Sequence, residues 1–208
     1  RLQGMNKFLE FIKQDKLKMK FVKVQQKNFL ENVISNEDYK FLKTRLKNDG
    51  YEEWYFVVWF MTATGARVSE LLQIKAEHIT AGHLDIYTKG GKIRRLYIPQ
   101  ILKNEAVVWL RSKGISSGYI FLNRFGKRIT TRGIAQQLKH FADKYGLKRE
   151  VVYPHSFRHR FAKNFLDRFN DIALLADLMG HESIETTRIY LRRTATEQRA
   201  IVDKVVTW

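Results

Sequence analysis

Leu2, Met5, Leu9 and Ile12 recur at helical spacing and predict an amphipathic helix with nothing before it to pack against. A lysine-rich stretch from Lys13 to Lys27 reads as a solvated linker, and a boundary falls near Ser35. Residues 1–34 are thus expected to be a terminal helix and linker, and residues 35–208 a single folded unit. Beyond the boundary the pattern is mainly helical. Ser35 and Asn36 can cap a helix that carries Phe41, Leu42 and Leu46 and stops at Gly50. Trp54 to Met61 is apolar on all sides, the mark of a buried helix. Gly65 breaks the chain, and Arg67 to Leu72 begins a new helical turn. Two short runs of β type, His83 to Thr88 and Ile93 to Ile98, flank Lys89-Gly90-Gly91-Lys92 and predict a hairpin. Ile101 to Arg111 returns to helical spacing, and Tyr119-Ile120-Phe121 predicts a further short strand.

Thr131 to Tyr145 predicts a helix with Ile134, Leu138, Phe141 and Ala142 inside and Gly146 as its stop. Pro154 fixes the entry to another, running from about His155 to Arg168. Asp171 caps a short helix ending at Gly180, and Ser183 caps one reaching about Leu191. In the tail, Ile201, Val202 and Val205 share a face. The expected class is α+β: mainly α with a small antiparallel sheet, and no internal repeat.

Composition narrows the chemistry. With no cysteine, disulfide scaffolds, thiolate zinc sites and thiol catalysis are excluded. No uninterrupted apolar stretch approaches a membrane span and no signal-peptide pattern opens the chain, so a cytosolic protein without membrane contact is expected. The formal charge of +17 favours a polyanionic partner, nucleic acid before membrane surface. Residues 105–150 hold ten basic side chains and three acidic ones, while residues 151–208 hold nine and seven. Many basic proteins simply carry solubilising lysines, but the lopsided distribution favours nucleic acid.

Four places set polar side chains beside helix starts or turns. In Thr64-Gly65-Ala66-Arg67-Val68-Ser69-Glu70-Leu71, Arg67 lies at a helix start, where free N–H groups favour an anion, and Glu70 can hold its guanidinium. An ordinary surface ion pair reads the same way. Lys89 sits at the hairpin tip beside two glycines that permit close approach of another backbone, though Lys92 would serve almost as well. In Pro154-His155-Ser156-Phe157-Arg158-His159, His155 and Arg158 lie one turn apart and can converge on a phosphate. His155 and His159 also have the i, i+4 spacing of two zinc ligands, but a zinc protease needs Glu where Ser156 stands. Finally, Met179-Gly180-His181-Glu182-Ser183 places His181 between a glycine stop and a serine cap, with Tyr190 one helix further on. A phenol becomes a useful nucleophile only where cations and a base stabilise its anion.

Taken together, in this order and spacing, these residues resemble the tyrosine recombinase (phage-type integrase) family. His155-x-x-Arg158, His181 and Tyr190 match the family's His-x-x-Arg, His and Tyr, and Arg67 with Glu70 matches its first box. The resemblance covers roughly Ser35 to Trp208, and His181 is one of two residue types the family uses there. It implies a site-specific recombinase or integrase that cleaves and rejoins DNA through a 3′-phosphotyrosyl intermediate, integrating or excising a mobile element. Neither metal, cofactor nor ATP is implied. Tyr190 would be the nucleophile, Arg67 and Arg158 the phosphate clamps, and His181 a phosphate donor. His155 would assist proton transfer, Lys89 would protonate the leaving 5′-oxygen, and Glu70 would support Arg67 from behind.

The basic segment from Arg111 to Arg149 would run along DNA phosphates, with Lys92, Arg124, Lys127, Arg128 and Arg132 as contacts. The apolar tail would dock into a neighbouring protomer or fold back on its own core. The resemblance further implies a homotetramer on double-stranded DNA for the full-length protein, a monomer for this chain in solution, and a cytoplasmic, nucleoid-associated location in a bacterium or phage-infected host. The start at Arg1 predicts a piece of something longer, lacking most of an N-terminal core-binding domain and therefore binding DNA weakly alone. A non-catalytic DNA-binding relative and a type IB topoisomerase-like strand-passing enzyme are the alternatives. General RNA binding would explain the charge but not the ordered motifs.

Overall fold

The computed structural model describes residues 2–19, 32–87, 93–181, 183–191, 199 and 202–206. Helix α1 (Leu2–Phe11) is followed by a single 3-10 turn, Asp15–Leu17. Met5, Phe8, Phe11 and Ile12 on and just after α1 are exposed, and the Asn6 side chain exchanges two hydrogen bonds with the Met19 backbone.

From Ser35 onward the chain builds the main body. Helix α2 (Asn36–Asn48) starts where the Ser35 hydroxyl accepts the Asp38 N–H at 3.0 Å. Helix α3 (Glu52–Thr64) is the central element, burying Tyr55, Phe56, Val57, Val58, Phe60 and Met61. Its Phe56 stacks on Trp109 of α6 (Gln100–Ser112) with ring centres 4.4 Å apart. Burying one such ring contributes about 1.5–3 kcal/mol, so this layer is a main source of stability. The single-turn α4 (Val68–Leu71) and short α5 (Ala76–Ala81) lead into β1 (His83–Tyr87) and β2 (Ile93–Tyr97). The two strands pair antiparallel in the register His83↔Tyr97 to Tyr87↔Ile93. Alternation turns Leu84 and Ile86 inward on β1 and Arg94 and Leu96 inward on β2.

Helix α7 (Thr131–Lys144) buries Ile134, Leu138, Phe141 and Ala142, the four positions its spacing selects. Helix α8 (Pro154–Arg168) has proline in its first turn, and its Ser156 hydroxyl accepts the Ile34 N–H at 2.8 Å. Helices α9 (Ile172–Met179) and α10 (Ile184–Arg188) and a 3-10 turn, Ile189–Leu191, complete the described body. The architecture is the expected α+β class.

Three details differ from the sequence pattern. Helix α5 was not foreseen. Tyr119-Ile120-Phe121 is not a strand: Tyr119 makes one isolated bridge to Lys75, and Ile120 and Phe121 go into the core. Ile101 and Val108, although at helical spacing, lie on the exposed side of α6. Hydrophobic packing forms one large cluster around α3 and a small one made of Ala162, Leu166, Leu175 and Met179, with Phe161, Phe165, Ile172 and Tyr190 against it.

Candidate active site

Two glycine-ended helices converge on one guanidinium. Helix α3 ends at Gly65 (φ +63°) and α9 at Gly180 (φ +62°), left-handed conformations that cost other residues steric strain. Both glycines are also closely overpacked. A Cβ on Gly65 would overlap the Phe161 ring, and one on Gly180 would overlap the Arg94 side chain. These turns aim helix C-terminal carbonyls, the negative end of each dipole, at cations. Arg158 on α8 donates to Gly65 O at 2.5 Å and to Met179 O at 2.6 Å. Arg67 donates to Gly180 O at 3.0 Å, and Arg94 to Leu178 O at 2.8 Å.

A single carboxylate ties the same arginines together. Glu70 on α4 accepts from the Arg67 backbone N–H at 2.7 Å and from the Arg67 guanidinium at 2.8 Å. Arg94 Nη1 donates to both Glu70 oxygens at 2.7 Å, and Arg158 Nη1 lies 4.0 Å away. Burial alone would push the Glu70 carboxyl up, but Arg94 and the Arg67 backbone and side chain bring it below its ordinary value. Glu70 is therefore ionised at neutral pH. Three guanidiniums against one carboxylate leave a positive surplus, and Arg67, with 38% of its side chain exposed, is the most accessible of the three.

Arg158 is pushed down to about 10 by burial and by the charges of Arg67 and Arg94, and stays protonated at neutral pH. Its Nη2 also meets His181 Nε2 at 3.0 Å, while His181 Nδ1 meets the Thr187 hydroxyl at 2.7 Å. Because a guanidinium can only donate, Nε2 is the accepting nitrogen and Nδ1 carries the proton. Burial, then Arg158 and Arg67, lower His181 to about 4. Tyr190, on the closing 3-10 turn, is pushed up to about 12 by burial against the opposing pull of Arg158. Its hydroxyl is 2.8 Å from Nδ1 of His159.

Arg67, Glu70, Arg158 and His181 are thus brought into one connected network. Tyr190 joins it through the α8 turn that carries Arg158 and His159. His155 is exposed at the first turn of α8, its ring centre 6.2 Å from that of His159. Lys89 and Lys92 lie outside the described residues, as does Ile201, while Val202 and Val205 are exposed. Among the described residues no three His, Asp or Glu side chains gather as a metal site.

Arg124, Lys127 and Arg128 stand exposed on a loop folded by Asn123, whose side chain accepts from Phe125 N at 2.9 Å and Lys127 N at 3.1 Å. Arg132 is exposed in the first turn of α7. Elsewhere in the basic segment, Lys113 pairs with Glu52 and Arg149 with Asp143.

Sequence reading missed two site residues. Arg94, 6% exposed, is a charge at an inward strand position, which a strict alternation count would have flagged. The sequence offers His159 only as half of a zinc-like His pair; its tie to Tyr190 spans 31 residues and leaves no local signal.

Known proteins share the sequence pattern and the fold of this chain. The phage integrase family model matches residues 29–197. Tyrosine recombinase XerA of Pyrococcus furiosus is 37% identical over 154 residues, covering 71% of this chain and 53% of that protein. The chain spans about half the length of the curated relatives it matches. Among solved structures, XerH site-specific recombinase bound to difH substrate superposes with a TM-score of 0.72 at 21% identity, covering 97% of this chain and 62% of that one. The Tn1549 transposon integrase in complex with circular intermediate DNA reaches 0.75 at 16% identity, covering 99% and 78%. No helix among the described residues is long and apolar enough to cross a membrane. With the family model matched over most of its length and the fold shared, the chain belongs to the phage integrase family.

Proposed function

We propose that residues 35–208 are the catalytic unit of a site-specific DNA recombinase, breaking and rejoining strands through a 3′-phosphotyrosyl bond, with integration or excision of a mobile element as its setting. The observation that carries this reading is the single turn of α8 that holds both Arg158, fixed to two helix C-terminal carbonyls, and the side chain bonded to the Tyr190 hydroxyl. A phosphodiester keeps its negative charge throughout, and more builds up on its non-bridging oxygens as the attacking bond forms. Arg67 and Arg158 supply permanent cations for those oxygens. Each such donor is worth about 10²–10³ in rate. Their fixed anchoring means that little reorganisation is needed when charge develops.

The Tyr190 oxygen attacks phosphorus as its proton passes to a neighbouring imidazole, the bond to the 5′-oxygen breaks, and Lys89 protonates the departing oxygen. His181 leaves Arg158, moves its proton from Nδ1 to Nε2 and donates it to the phosphate, and the exposed His155 reaches the same group from the first turn of α8. Reversal by a 5′-hydroxyl rejoins the strand with no external energy source, because the phosphotyrosyl link stores the bond energy. Arg124, Lys127, Arg128 and Arg132 bind phosphates of double-stranded DNA along with Lys92, and recombination proceeds in a cytoplasmic tetramer of full-length protomers.

The test is a trapping assay on nicked duplexes in EDTA, with the unsubstituted chain and Tyr190→Phe. A covalent protein–DNA adduct with a free 5′-hydroxyl, abolished by Tyr190→Phe, is expected. DNA binding without adduct on any sequence that the protein protects would favour a binding-only relative.

A further inference from the structure

We propose that His159, rather than His155, takes the Tyr190 proton as a strand is cut and returns it as the strand is rejoined. The inference rests on the strand-cleaving reading above and assigns a catalytic residue to it. Tyr190 O and His159 Nδ1 are 2.8 Å apart, with ring centres separated by 5.6 Å. That is already proton-transfer distance, before any substrate is present. His159 directly follows Arg158 on α8, so one rigid helical turn fixes the proton acceptor relative to the phosphate clamp. His155 is one turn nearer the helix start, exposed, and makes no hydrogen bond to Tyr190 among the described residues.

Both partners start neutral, and with the imidazole at about 4 and the phenol at about 12 the proton moves only in concert with O–P bond formation. Burial first, then the neighbouring His155 and Arg158, bring His159 down to about 4, so its imidazole is neutral at pH 7. A neutral ring that accepts at Nδ1 carries its proton at Nε2. Burial holds the Tyr190 phenol up at about 12, so the nucleophile arrives protonated and needs an acceptor. The ionisable groups around the pair are His155, Arg158, His181 and Tyr153. An incoming phosphodiester adds negative charge beside Arg158 and shifts His159 toward accepting a proton.

In the forward step the Tyr190 O–P bond forms and the Tyr190 proton passes to His159 Nδ1. The P–O5′ bond breaks with its electron pair on O5′, and that oxygen takes a proton from the Lys89 ammonium. Rejoining runs the same transfers backward: the imidazolium protonates the departing phenolate, and the 5′-hydroxyl proton returns to the Lys89 amine. Nothing beyond the two DNA ends is consumed.

The experiment measures single-turnover adduct formation on short nicked duplexes, recovered from a randomised pool by trapping with the unsubstituted chain. His159→Gln and His159→Ala are expected to slow cleavage by about 10²–10⁴-fold at saturating DNA. Imidazole added to His159→Ala should restore part of the rate. Placing a more acidic phenol, trifluorotyrosine, at position 190 should shrink the loss to under about tenfold, since a phenolate needs no base. Circular dichroism checks that both variants fold. Cleavage by His159→Gln within a few-fold of the unsubstituted chain would overturn the assignment. So would a loss that neither imidazole nor the acidic phenol relieves, which would make His159 a positioning residue only, or the same relief seen with His155→Ala instead. No Tyr190-dependent adduct from the unsubstituted chain would instead bring down the strand-cleaving reading, and this one with it.

Discussion

At the junction of Gly65 and Gly180, the guanidiniums of Arg67, Arg94 and Arg158 are each tied to at least two fixed acceptors. On the segment from Arg124 to Arg132 the same group is held loosely. Arg124 lies over the Phe125 ring at 4.7 Å and Arg128 over Tyr119 at 4.9 Å, both exposed. One arrangement fixes charge at a point, which suits a transition state whose charge develops on particular oxygens. The other spreads charge over a surface, which suits a polyanion met in many registers. Net charge alone does not tell these uses apart; the acceptors around each guanidinium do.

The largest expected effect is at the fixed cluster. Arg158→Lys keeps the charge but cannot reach Gly65 O, Met179 O and His181 together, and should lower the trapping rate about 10³-fold, with adduct yield over time as the readout. A comparable rate in that variant would break the contrast. Next, Arg94→Met removes the bidentate partner of Glu70 and should destabilise the fold by about 3 kcal/mol in urea unfolding, because a buried carboxylate loses half its compensation.

Acid should weaken the same region. His159 and His181 titrate near 4 in the fold against an ordinary value near 6.5. The unfolded chain therefore binds more protons between those values, and stability should fall as pH drops from about 6.5 to 4. Glu70, held below its usual carboxylate value, contributes stability that is lost further down, as pH falls through its folded value. Unfolding curves across that range, with His181→Asn flattening part of the slope, check this. The smallest effect belongs to the loosely held set. Arg128→Ala should weaken DNA binding only a few-fold and reduce the slope of log affinity against log salt by about 1, measured by fluorescence anisotropy.

Most of the helical frame was legible because its signals are local. Ser35, Asp171 and Ser183 all accept backbone N–H groups at the helix starts where their side chains suggested caps. The inward face of α7 followed from spacing, and the two hairpin strands from their β-type runs on either side of a glycine pair. Helix α5 escaped because six residues with a single large apolar side chain, Ile79, give no periodicity to read. Tyr119-Ile120-Phe121 has strand composition, but the chain offers it a single bridge to Lys75 rather than a partner strand. The positions of Arg67, Arg158, His181 and Tyr190 were legible as an ordered motif. What joins them was not, since Arg94 meets Leu178 across 84 residues and Arg158 meets Gly65 across 93.

Arg158 touches the end of α3, rooted in the large hydrophobic cluster, and the end of α9, rooted in the small one. Half of the site is therefore mounted on a support of four buried side chains. A thermal fluctuation that loosens Leu175 and Met179 from Ala162 and Leu166 would carry His181 and Tyr190 away from Arg67 while α3 stays packed. Heating should disarm this protein several degrees before it denatures it, and Leu175→Ala should widen that interval.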